Sequence, residues 1–390
     1  MKIQISDFGK STLFILYTIG FIFSFTLSIP AYVNSSFLES LTSEQAIGIF
    51  YTISSTFSLA TLLFLPRLLK KYGNYKVILT FSILFFVNFL GLVSFDNRFL
   101  LLSCFLLMGS MSTAILFCLD IFIEHNSLNV TTGSIRSIYL TCVNLAWLFS
   151  PWFAGTLVVE SSYRAVYFVV ALIMMPVIFI ISASLSNFED PEYKTFNIFE
   201  TVKSIDANHN IKNIIVSNFL LQLFYSWMVV YTPIYLNQYI GFSWGDIGII
   251  FSIMLLPFVF IQIPVGLLAD KILGEKEILT LGFITMAIFT AVIPLIQNNN
   301  LFLWAGVLFM TRVGAAMVEV MNDTYFFKKV SDKNLNIIKF YRAVNPIAYI
   351  VGPMLATIFM IFLPMANIYY ILGLLMIFGL RYSLTIKDTK

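Results

Sequence analysis

The chain has little of what a soluble globular protein needs at its surface. Only 11% of its 390 residues are Asp, Glu, Lys or Arg, too few to coat a water-exposed particle of this size. It has two histidines, His125 and His209, and three cysteines, Cys104, Cys118 and Cys142. The cysteines all fall in apolar stretches and read as small hydrophobes, and no His/Cys cluster has metal-ligand spacing, so no metal is expected. There is no nucleotide-cradling glycine loop and no nucleophile elbow. These gaps point away from nucleotide-driven pumps, metalloenzymes and hydrolases. The expectation is a protein that is not an enzyme, needs no cofactor and binds no nucleic acid.

What is present is grease. Hydrophobic residues make up 59% of the chain, and 41 residues are phenylalanine. A chain this apolar has no way to bury all of that surface internally, so its solvent must be mostly lipid. Twelve apolar segments can be marked, at 11–34, 45–66, 76–95, 99–121, 137–159, 163–185, 213–236, 245–268, 277–297, 300–322, 340–363 and 366–386. Each is near the roughly 20 residues needed to cross a bilayer as a helix. Most connections are short, as at Asp96-Asn97-Arg98; the exception is the polar stretch 186–212.

Charge placement gives an orientation. With the N-terminus inside, 20 of the 23 Lys and Arg residues fall on the inner side; Arg98 and Arg164 fall outside and Arg312 lies within a span. The bias of basic residues toward cytoplasmic loops then puts both termini in the cytoplasm. The expected location is the plasma (cytoplasmic or inner) membrane. The first segment, following Lys2 and Lys10, has the outline of a signal peptide, but it belongs to an internal repeat. Pro30-Ala31-Tyr32-Val33-Asn34 recurs as Pro233-Ile234-Tyr235-Leu236-Asn237, and Ile47-Gly48-Ile49 as Ile247-Gly248-Ile249. Lys76-Val77-Ile78-Leu79-Thr80 pairs with Lys276-Glu277-Ile278-Leu279-Thr280, and Ser150-Pro151 with Gly352-Pro353. All four matches keep their order at offsets of 200 to 203 residues. The expected architecture is all-α and polytopic: two parallel six-helix bundles at 1–185 and 213–390, joined by a cytoplasmic linker at 186–212.

With these features the chain resembles the major facilitator superfamily. The family's signature inner loop, after the second helix of a half, reads Gly, three residues, Asp, a basic residue, then Gly and further basic residues. Gly266-Leu267-Leu268-Ala269-Asp270-Lys271-Ile272-Leu273-Gly274 follows it with the last glycine one place late. In the first half, Pro66 stands for the glycine and Lys70 for the aspartate, ahead of Lys71 and Gly73. The resemblance implies an inner gate in which Asp270 and Lys271, and less directly Lys70 and Lys71, hold helix ends together. Aligning the halves sets Asp120 opposite Asn322, with Asp323 one place along. Asp120 and Asp323 then read either as carboxylates locking helices at the inner face or as proton carriers.

Arg312 and Glu319 are the unusual residues of the tenth segment. Ionisable groups inside a span face a bundle interior or a water path. Seven residues are close to two turns, so both project to one face, with Cα atoms roughly 10 Å apart along the axis. Arg312 aligns with Ser110, so the fold itself does not demand an arginine. It is read either as a strut to carbonyls or amides of helix seven or eleven or as a solute or coupling-ion group. Glu319 is either a partner of Lys328 or Arg342 or a buried carboxyl able to carry a proton. The small residues Gly314, Ala315 and Ala316 between them favour close helix packing. The family's Arg-Gly-Ala-rich element in helix four is matched here only in helix ten, at Thr311-Arg312-Val313-Gly314-Ala315-Ala316.

Polar stripes add Asn218, Gln222 and Tyr225 in helix seven, with Trp227 nearby, Asn345 and Tyr349 in helix eleven, and Asn144 in helix five. Each serves as well for interhelical bonding as for ligand contact. The helix-one positions matching the helix-seven stripe are Ile15, Ile19 and Ile22. The site is therefore expected to be polar in the second half and apolar in the first.

The expected function is secondary active transport of a small organic solute by alternating access, coupled to protons, in a monomer embedded in lipid. Ser150-Pro151 approximates the Gly-Pro element of the family's antiporters and, with the apolar first half, leans the reading to efflux of lipophilic compounds. Against that lean, the first helix carries no acidic residue between Tyr17 and Tyr32. The alternatives are an uptake permease for an anionic or sugar-like solute, with Arg312 as the anion group, and a non-transporting membrane scaffold or enzyme.

Overall fold

A computed structural model describes residues 7–125, 132–186, 188, 190–191, 198–271, 273–330 and 335–387. Among them the chain is helical throughout, and twelve helices are long and apolar enough to cross a membrane. The fold is an all-α polytopic membrane protein with twelve spans, as the hydropathy pattern implied. The spans are, in order, Thr12–Ala31, Glu44–Tyr72, Asn74–Ser94, Arg98–Ile123, Cys142–Glu160 and Tyr163–Ser184, then His209–Ile240, Trp244–Gly266, Glu275–Leu295, Leu301–Lys329, Asn336–Phe362 and Met365–Thr385. They are called spans 1 to 12 below.

Local chemistry explains where several spans begin. Asn208 Oδ1 accepts from Ile211 N at 3.2 Å, Ser243 Oγ from Asp246 N at 3.2 Å, and Asn300 Oδ1 from Leu303 N at 3.1 Å. Each cap satisfies one amide that the first turn of a helix leaves without an intrahelical partner. Between spans 2 and 3 the chain turns at Gly73, whose φ of +80° favours glycine.

The described residues form two compact units. One runs to Val33 and resumes at Phe57–Thr195; the other comprises Asn34–Thr56 and Phe196–Lys390. The first part of span 2 and the short helix Asn34–Leu41 before it therefore group with the second unit. Within that unit Thr52 Oγ1 donates to Ile350 O at 3.0 Å, and Tyr239 OH donates to Glu44 Oε2 at 2.9 Å.

Inside the first unit the core is aromatic. The rings of Phe23, Phe85, Phe89 and Tyr167 follow one another at centroid separations of 5.8, 4.8 and 6.0 Å. Some of its buried hydroxyls bond within their own helix, Ser24 Oγ to Gly20 O and Ser150 Oγ to Ala146 O, each at 2.7 Å. Ser28 meets Ser150 across spans 1 and 5 at 2.5 Å, whereas Ser82 Oγ has no partner among the described residues.

The second unit is built on spans 7 and 10, of which 72% and 61% of the most apolar window is buried, against 22% for span 2. Spans 9 and 10 cross at Gly282 and Gly314. A Cβ on Gly314 would lie 2.6 Å from Gly282 O, and one on Gly282 would lie 2.9 Å from Gly314 O. Only glycine permits backbones to approach this closely. This crossing fixes the back of span 10, whose other faces pack on spans 7 and 8 and meet span 11 near Phe326.

Candidate functional site

Span 10 presents Arg312 to span 7. The Arg312 side chain is only 1% exposed, and its guanidinium carbon lies 5.1 Å from the Phe224 ring centre and 5.5 Å from that of Tyr225. Its Nη1 has no hydrogen-bond partner. The guanidinium's described neighbours are thus two aromatic rings that attract the cation without hydrogen-bonding it. A buried guanidinium with an unmatched donor costs more than an ordinary buried polar group.

Two turns further along, Tyr225 OH donates to Glu319 Oε2 at 2.7 Å. Glu319 is half-buried and, among the described residues, carries no ion pair. Of the cations expected beside it, Lys328 bonds Glu275 Oε1 at 2.8 Å. Tyr225 thus touches both members of the pair, with its ring under Arg312 and its hydroxyl on Glu319.

The rest of the span 7 stripe turns toward span 11. Asn345 Nδ2 donates to Gln222 Oε1 at 2.6 Å, and Gln222 Nε2 donates to Asn218 Oδ1 at 3.4 Å. The heptad spacing of Asn218, Gln222 and Tyr225 therefore delivers one continuous polar face that meets two neighbouring helices. Trp227, fully buried, donates from Nε1 to Gly352 O at 2.6 Å, and Tyr231 OH donates to Pro353 O at 3.0 Å. Trp227 therefore ties span 7 to span 11. Tyr349 is half-buried on span 11; Asn144, also half-buried, lies on span 5 in the other unit.

Toward the C-terminal end of span 10, Asp323 Oδ1 accepts from Tyr341 OH at 2.7 Å, and Tyr341 stacks on Phe326 at 4.0 Å. Ser217 Oγ donates to Asn322 Oδ1 at 2.7 Å, leaving the buried Asn322 Nδ2 without a partner. Asp120 is half-buried at the end of span 4. Lys70 and Lys71 are exposed, with Lys71 Nζ 5.0 Å from the Tyr72 ring centre. The side chains of Asp270 and Lys271 lie outside the described residues. A Cβ on Gly266 would make ordinary contact with Val320 Cγ1 at 3.9 Å. Gly274 N donates to Glu277 Oε2 at 3.1 Å at the start of span 9.

Two carboxylates at the inner turns escaped sequence reasoning. Asp190, from the central linker, accepts from Asn74 N at 2.7 Å and so caps span 3, where the signature loop has Lys70 in place of its aspartate. Glu275 is 2% exposed and holds Lys328. Nothing local marks Asp190, whose partner is 116 residues away. Glu275 did have a signal, an acidic residue opening an apolar helical run.

The comparisons with known proteins follow this geometry. A family model described as Major Facilitator Superfamily matches residues 14–333 and, separately, 214–388. The second match covers the repeated half on its own. No curated protein matches the chain by sequence. Among solved structures, the fold is similar to a crystal structure of a mutant of the nucleoside transporter NupG, with a TM-score of 0.73 at 11% identity. The alignment covers 96% of this chain and 99% of that one.

Proposed function

Because the chain belongs to the major facilitator superfamily, we propose that it is a proton-coupled secondary transporter whose exchanging proton resides on Glu319. The observation that carries this reading is the Glu319 carboxylate, placed within a span, bonded to a phenol and unpaired by any described cation. A carboxyl in such surroundings gains a proton readily when the path opens to acid and loses it when a cation approaches. Arg312, two turns away on the same face, is the cation positioned to act on it. Transport then proceeds by alternating access of the two halves, divided by the 186–212 linker, around sites built from spans 7, 10 and 11.

The solute is read as a small organic molecule with a substantial apolar body, moved outward in exchange for protons. Supporting this is the apolar character of span 1 at the positions that align in the repeat with the span 7 stripe, where Ile19 is fully buried and Ile15 and Ile22 are half-buried. The basic-residue bias supports cytoplasmic termini in a plasma membrane, and the protein is taken to act as a monomer.

Glu319→Gln tests the coupling. In proteoliposomes the variant should lose at least nine-tenths of solute transport driven by a pH gradient, while solute exchange without a gradient persists. Undiminished driven transport in this variant would assign the carboxylate to structure alone.

A further inference from the structure

The unsatisfied nitrogen of Arg312 leads to the solute's chemical class. We propose that Arg312 is the binding group for a single carboxylate on the solute, so that the cargo is a small organic monoanion with a flat or apolar body. This rests on the reading above that spans 7, 10 and 11 form the solute site.

Four observations carry it. First, Arg312 is 99% buried yet has Nη1 without an acceptor. Native proteins bond buried donors almost without exception, and a cation is the costliest one to leave unmatched. Second, the neighbours of the guanidinium carbon are the rings of Phe224 and Tyr225, at 5.1 and 5.5 Å. Rings attract the cation without accepting hydrogen bonds as a carboxylate does, so they do not answer the unmatched nitrogen. Third, Tyr225 packs edge-on against Phe258 at 6.2 Å and beside Phe224 at 5.9 Å. This aromatic wall next to the cation suits an apolar or aromatic body attached to the anionic group. Fourth, Arg312 lies about 12 residues into its span, well away from the level of lipid headgroups, so a lipid phosphate is not its partner.

The charge count narrows the anion. Arg312 is the only fully buried cation among the described residues, and Glu319 shares its face. A monoanion neutralises Arg312. A phosphate monoester dianion would overcompensate it and meet Glu319 with like charge. Carboxylates are therefore favoured over phosphate esters, and neutral isosteres leave the cation unmatched.

Thermal unfolding and equilibrium binding on the purified full-length protein test this. The probes are acetate, benzoate and indole-3-acetate, with benzamide and phenyl phosphate as neutral and dianionic counterparts. The wild type should be stabilised by at least one carboxylate, with about tenfold or greater preference over benzamide and over phenyl phosphate. Arg312→Gln should abolish that preference, and Arg312→Lys should retain the charge but weaken carboxylate binding by about tenfold. If Arg312→Gln fails to fold, the wild-type selectivity and the lysine variant still decide. Equal affinity for benzoate and benzamide, stabilisation by none of the carboxylates, a preference for phenyl phosphate, or unaltered binding in Arg312→Lys would each overturn the proposal. These measurements use no gradient, so loss of Glu319-dependent coupling would leave them standing. Equally, proton-driven movement of neutral solutes would remove the anion class without touching the coupling.

Discussion

The two compact units handle buried polarity in opposite ways. In the first, the buried polar groups are small. Ser24 and Ser150 return their hydroxyls to carbonyls one turn back, and Ser28 meets Ser150 across two spans. In the second, Arg312 and Glu275 are both buried to 2% exposure or less, and long side chains such as Gln222 and Tyr225 reach between helices. Serine in a span satisfies itself within its own helix and does not depend on a neighbour. A guanidinium or carboxamide needs a partner on another helix, so its bonds change whenever that neighbour moves. Among the described residues the buried charges lie in the second unit, while the first buries short side chains such as Asn74, whose Nδ2 donates to Cys118 O.

The sharpest way to break this contrast is to give the first unit its own charge. Ser110, aligned with Arg312, is 8% exposed. Ser110→Arg should cost roughly 3 kcal/mol, read as a large drop in melting temperature and in the monodisperse fraction. A well-folded Ser110→Arg protein would show that the first unit accommodates a buried cation as the second does.

A smaller effect separates the two inner turns. Glu275 is buried against Lys328, whereas the exposed Asp190 caps span 3 from the linker. Glu275→Gln should destabilise by about 1.5 kcal/mol through loss of a charge-assisted bond. Asp190→Asn should cost less than about 1 kcal/mol, since an amide oxygen still caps. Paired unfolding curves check the order, and a reversed order would make the linker cap the stronger inner fastening.

The smallest expected effect is at the outer helix Asn34–Leu41. Burial, reinforced by Glu44 and partly offset by a bond from Gln238, raises the Glu39 carboxyl above its ordinary range. A carboxyl raised on folding stabilises most when protonated, and that contribution is lost as pH climbs through the raised value. Glu39→Gln should therefore melt slightly higher than wild type at pH 8, and the two curves should converge near pH 4. A gap that widens on acidification would reverse the sign.

Much of this was legible in sequence because lipid imposes a strict code. Twelve apolar stretches of bilayer length become twelve helices, since no other open backbone arrangement satisfies itself in hydrocarbon. The seven-residue spacing of Arg312 and Glu319, and of Asn218 and Tyr225, placed them on shared faces because helical period is local. The partners were not legible, because the choice among neighbouring helices is made by tertiary packing. The sequence left Arg312 open between a strut to carbonyls or amides and a solute group, and nothing in it pointed to the two rings beside it. Trp227 shares the stripe's neighbourhood yet turns to Gly352 O. The grouping of Asn34–Thr56 with the second unit had no sequence signal at all, since the repeat assigns those residues to the first half.

The crossing of Gly282 and Gly314 has a mechanical consequence. With two backbones in direct contact, spans 9 and 10 have no cushion of side chains to shear, so they behave as one stiff spar. A force applied at Arg312 is then carried by the pair together, not absorbed by a rotation of span 10. Compliance is expected on the opposite side, toward span 7, whose links to span 11 include rotatable side chains such as Gln222 and Asn345 beside the Trp227 tie. Motion triggered at the arginine should register first as a rearrangement of those amides, while the glycine seam stays shut.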